Sequence, residues 1–166
     1  MDSIEKFSRE IYHQGNENCI LMIHGLGSGP QELAQLAKYA NEEGFSVLVP
    51  CIKGYCFGEE LENWNNWLDQ ILGHYKNATE SYKTVSLVGL SMGATLAMAA
   101  AENVQPLANV FLASALGYDG WSMPWYAFLL PYASLIPFSN LYKYKEKEPF
   151  GVKNLQMRNI VRRTLE

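Results

Sequence analysis

From Phe7 through Arg9 to Ile11 the chain alternates with polar partners, Gly15-Asn16-Glu17-Asn18 then interrupts it, and an uncharged apolar run follows from Cys19 to Ile23. A period of two broken by turn residues predicts a strand, a tight turn and a second strand, in the manner of a β-hairpin. Gly25, Gly27, Gly29 and Pro30 end that pattern, and Leu33, Leu36, Ala37 and Ala40 recur at helical spacing up to a stop at Gly44. Phe45–Val49 is short, β-branched and uncharged, which predicts a buried strand. Past the loop Pro50–Leu61, Trp64, Trp67, Leu68, Ile71 and Leu72 share one face of an amphipathic helix reaching about Lys76. Thr84–Val88 is the next buried strand, Ala94–Glu102 an Ala-rich helix able to lie close on a sheet, and Asn109–Ala113 a further strand.

Strands alternating with helices imply right-handed crossovers, hence an α/β fold with a mostly parallel sheet and helices on both faces. Residues 1–116 are expected to form this core. After Leu116 aromatic residues and prolines dominate, and residues 117–166 are expected to form a separate helical element.

The chain's 166 residues suit one core, and a net charge of −4 argues against nucleic acid or anionic membrane as a partner, because no basic stripe gathers phosphates. Arg158, Arg162 and Arg163 are the one basic concentration and read as a solvated helix side. Cys19, Cys51 and Cys56 are odd in number and lack zinc-ligand spacing, so reduced thiols are expected, with a cytoplasmic setting and no metal. No export signal is read at Met1–Asn16. The uncharged stretch Trp121–Phe138 nears membrane-spanning length, yet Pro124, Pro131 and Pro137 interrupt it, so no span is expected.

Chemistry enters at Gly89-Leu90-Ser91-Met92-Gly93. G-x-S-x-G alone is a weak pattern, but here it follows a buried strand and opens a helix, the context of a nucleophile elbow. Side chains at the flanking glycines would collide with the strand and the helix. Ser91 itself would sit in a strained backbone region costing about 1–3 kcal/mol, its hydroxyl pushed out above the carboxyl edge of the sheet. The competing reading of Ser91 is an ordinary helix N-cap. His24-Gly25-Leu26-Gly27-Ser28-Gly29-Pro30 follows an earlier strand, and backbone N–H groups of Leu26 and of Met92 are candidates for an oxyanion hole. A phosphate loop is excluded there by the missing G-K-[ST] ending and the wrong glycine spacing.

With these segments together, and with Pro50-Cys51-Ile52-Lys53-Gly54-Tyr55 between them, the sequence resembles the α/β-hydrolase superfamily, and within it the bacterial carboxylesterases and monoacylglycerol-lipase-like enzymes. The resemblance covers Phe7–Ala115 well and Gly117–Leu165 more loosely, the latter resembling the start of a helical cap. It implies hydrolysis of a carboxylic ester through an acyl-serine, without a cofactor, on short or medium acyl esters or monoglycerides. Trp121, Trp125, Tyr126, Phe128, Leu129 and Leu130 would line an apolar pocket or merely pack the cap. Acyl transfer and thioester hydrolysis use the same parts.

In that superfamily the acid and the base histidine follow the serine in the chain. Here His13, His24 and His74 all precede Ser91. His24 is expected to order its loop, His13 and His74 to be ordinary surface or helix-end residues, and Asp119 to serve a polar turn rather than catalysis. Cys51 and Cys56 are expected to be incidental. The resemblance thus implies a C-terminally truncated member whose acid and histidine lie beyond Glu166. The alternative is a catalytically inactive fragment or ligand-binding pseudo-hydrolase. Truncation would also leave the Asn109–Ala113 strand as an open edge, a route to self-association.

Overall fold

The computed structural model describes residues 8–116. Five strands form one sheet: β1 (Ile11–His13), β2 (Asn18–Ile23), β3 (Ser46–Val49), β4 (Thr84–Leu90) and β5 (Asn109–Leu112), in the order β1-β3-β2-β4-β5. All neighbouring pairs are parallel except β1 with β3. Between them run α1 (Ala34–Glu42), α2 (Trp64–Ser81) and α3 (Met92–Ala101). This is the α/β class expected from the alternation, and the helical cap expected at 117–166 lies outside the described residues.

The expected hairpin is not formed. β1 pairs with β3, and β2 lies between β3 and β4. The Gly15–Asn18 turn is instead tied to the start of β3. Asn16 donates its N–H to Gly44 O (2.7 Å), Gly15 donates to Ser46 Oγ (2.9 Å), and that buried hydroxyl donates to Asn16 O (2.7 Å). With both edges of β2 taken by parallel partners, β1 adds at the free side of β3.

The period of two places β2 between two cores. Cys19, Leu21 and Ile23 point to the side covered by α2 and α3, where Trp67, Ile71 and Leu96 join them. Met22 faces the opposite side with Leu33, Ala37, Val47 and Val49, beneath α1. Each helix start has a local cause. Pro30–Leu33 forms a 3-10 turn with proline at its head before α1, and the Asn63 side chain caps α2 by accepting the Asn66 N–H (3.0 Å). α2 continues to Ser81, past the expected end near Lys76, because Tyr75 and Ala78 extend its buried face. Among the described residues no helix is long and apolar enough to cross a membrane.

Candidate active site

β4 ends at Leu90, α3 begins at Met92, and Ser91 alone makes the turn, at φ 57° and ψ −122°. A side-chain-bearing residue with positive φ costs about 1–3 kcal/mol and needs surrounding contacts to hold it. Those contacts come from both sides. The Ser91 N–H donates to Leu112 O of β5 (2.8 Å), and its carbonyl accepts from Ala94 N–H (3.0 Å) and Ala115 N–H (3.3 Å). A Cβ on Gly93 would collide with the carbonyl oxygens of Ile23 and His24, and one on Gly89 with Gly93 and Ala94. Two glycines therefore let α3 cross the ends of β2 and β4 at backbone contact. Ser91 is not an ordinary N-cap, since its φ is positive and its side chain accepts no bond from the helix.

The loop after β2 lies against this turn. The position that a Gly25 Cβ would occupy is 3.7 Å from Ser91 Cβ and 3.2 Å from Glu32 Oε2. Loop amides are nearly all committed: Gly25 N–H to Glu32 Oε2 (2.8 Å), Gly27 N–H to Tyr55 O (3.0 Å) and Ser28 N–H to Gly25 O (3.2 Å). Among the described residues the N–H groups of Leu26 and Met92 have no such partner. Leu26 is 39% exposed.

His24 is fully buried. Its Nδ1 donates to Gly25 O (2.9 Å), Nε2 lies 3.5 Å from Cys56 Sγ, and the Tyr55 hydroxyl donates to the His24 carbonyl (3.0 Å). Burial pushes the imidazole pKa down, while the Gly25 bond and the Glu32 and Glu59 charges oppose that push. A neutral ring whose Nδ1–H is bonded to Gly25 O, with Nε2 packed against the sulfur of Cys56, holds the loop. The segment 51–57 braces it further through Phe57 N–H to Ser28 O (2.7 Å).

The other histidines are not gathered here. His13 lies on β1, with β3 and β2 between it and β4. His74 lines a cavity of about 80 Å³ with Tyr12, Leu48 and Pro50, away from Ser91. Asp119 lies outside the described residues. The expectation of separate thiols at Cys51 and Cys56 is corrected: they form a disulfide, Cα–Cα 6.5 Å. A turn closed by Tyr55 N–H to Ile52 O (3.2 Å) folds the segment back and brings the two within bridging range. The free-thiol argument for a reducing compartment loses this pair. Cys19 remains free and buried, its pKa pushed up to about 11 by burial. Glu32 is the residue that sequence reasoning passed over, and its signal was an acid in the first turn after the glycine loop.

The sequence profile described as "Alpha/beta hydrolase family" matches residues 20–161. The chain belongs to the alpha/beta hydrolase family. Its relatives include a thermostable monoacylglycerol lipase of Bacillus sp. (strain H-257), 29% identical over 87 residues, a match spanning 51% of this chain and 35% of that protein. A carboxylesterase of Bacillus subtilis (strain 168) is 26% identical over 91 residues, spanning 51% of this chain and 36% of its own. The match thus spans about a third of either hydrolase's length. In fold, a Paleococcus ferrophilus monoacylglycerol lipase superposes with TM-score 0.63 at 18% identity, covering 76% of this chain and 49% of that one. A lipase-esterase related protein from Clostridium acetobutylicum does so with TM-score 0.60 at 19% identity, covering 95% and 65%. These two likenesses bear on the fold of this chain.

Proposed function

We propose that this chain carries the nucleophile half of a serine esterase, in which Ser91 attacks the carbonyl of a carboxylic ester and the N–H groups of Leu26 and Met92 hold the oxyanion. The observation that carries the reading is the Ser91 turn at positive φ, packed against a glycine loop whose Leu26 N–H is uncommitted. A strained serine, with uncommitted N–H groups at Leu26 and Met92, suits an acyl-serine route, and each oxyanion donor is worth roughly 2.7–4 kcal/mol in a transition state. The monoacylglycerol lipase and carboxylesterase relatives favour monoglycerides or short acyl esters. Thioester hydrolysis or acyl transfer would use the same groups.

The second reading, a chain that binds but does not turn over, is favoured by one observation: among the described residues no histidine side chain is hydrogen-bonded to Ser91. Without a base the serine is an unactivated alcohol, while oxyanion and binding contributions of about 10³–10⁴-fold over water can survive. The full 166-residue chain is therefore expected to hydrolyse a short-chain aryl ester feebly and Ser91→Ala to lose that activity. Equal rates for parent and variant would refute the nucleophile. Fast turnover dependent on Ser91 would refute the missing base. The outer edge of β5, with Val110 45% and Phe111 38% exposed, is proposed as a self-association surface, read by size-exclusion chromatography.

A further inference from the structure

Glu32 closes the glycine loop from both ends. Its N–H donates to Gly29 O (3.0 Å), and its Oε2 accepts the Gly25 N–H (2.8 Å). A carboxylate bond to a backbone N–H is charge-assisted and stronger than a neutral one. It removes Gly25 as a donor, and Gly27 and Ser28 are committed too, whereas the Leu26 N–H has no partner among the described residues. The same carboxylate is close to the serine: Glu32 Oε2 and Ser91 Cβ both lie within 4 Å of the point a Gly25 Cβ would occupy. Residue 32 is exposed, so its charge is not taken into a dry interior. Among the described residues neither ion pair, Lys38–Glu42 nor Lys83–Glu17, involves Glu32.

We propose that Glu32 is a positioning and specificity-determining residue, orienting the Leu26 amide by capping Gly25 and turning away esters that carry a negative charge. The proposal rests on Ser91 as nucleophile. Positioning and repulsion come from different properties of one side chain. Capping needs only an acceptor, which Gln retains. Repulsion needs the charge, which Gln lacks and which is weakened but not abolished by water at an exposed site.

The test compares 4-nitrophenyl butyrate with mono-4-nitrophenyl succinate, matched in acyl length and differing by one carboxylate, on the full chain with Ser91→Ala as background. Glu32→Ala is expected to lower kcat about tenfold on the neutral ester with little change in KM, as for loss of a contact that acts in the transition state. Glu32→Gln should recover most of that loss, and should also shift the butyrate-to-succinate preference about 3–10-fold toward succinate, the size of one screened charge at short range. High salt should narrow the parent's preference and leave that of Glu32→Gln nearly unchanged. If Glu32→Ala fails to fold, the shift in preference in Glu32→Gln decides alone. Parental kinetics on both esters in Glu32→Gln and Glu32→Ala, with Ser91→Ala silent, would overturn this inference and leave the esterase reading standing. An active Ser91→Ala would overturn both.

Discussion

β4 and β5 lie side by side and parallel, are almost equally apolar, and meet opposite fates. β4 buries Val85, Leu87 and Val88, whereas β5 leaves Val110 45% and Phe111 38% exposed. The cause is position in the sheet. β4 is bonded by β2 on one side and β5 on the other, while β5, among the described residues, is bonded by β4 alone. Yet the exposed strand supports the site, for Leu112 O receives the Ser91 N–H. Apolarity in a strand reports what it can bury, and the neighbours decide what it does bury.

The comparison breaks most visibly under truncation. Leu87→Ala should cost about 2–5 kcal/mol, as for a fully buried leucine, and Val110→Ala less than about 1 kcal/mol, read from urea unfolding midpoints. Similar costs would mean that β5 is covered as well as β4. Acid sharpens the contrast, because β5 has no titrating side chain while the buried His24 directly follows β2. Burial lowers the folded-state pKa of His24 from 6.5, so the unfolded chain binds the proton first. Its contribution to stability is complete above about pH 6.5 and is lost as the pH falls through the depressed value. Urea midpoints should therefore drop between pH 7.5 and 5.5, and a flat profile would count against a neutral, buried His24. The smallest effect on stability is expected for Phe111→Lys, within about 0.5 kcal/mol. The same change should nonetheless shift size-exclusion elution toward the monomer if the β5 edge pairs chains.

Much of this was legible before any fold was known. Thr84–Val88 and the Ala-rich stretch after it announce a strand and a helix by period and composition, and Gly89 and Gly93 mark a turn too tight for side chains. Less legible were the groups that hold the loop. Glu32 looks like any acidic residue in a first helical turn, and its bond to Gly25 depends on the 3-10 turn that folds it back. Tyr55 belongs to a segment noticed for its resemblance, but its hydroxyl reaches a carbonyl 31 residues away.

By itself the sequence determined the alternation of strands and helices, the parallel class of the sheet and the place where strand passes to helix through Ser91, because these follow from periods of 2 and 3.6 and from local turn chemistry. Tertiary structure alone decided that β1 pairs with β3, that Cys51 meets Cys56 and that the Gly25 N–H is taken by Glu32. Each of those is a choice of partner. A residue's period is written in its neighbours along the chain, but which distant donor meets which acceptor depends on where the chain returns after each crossover.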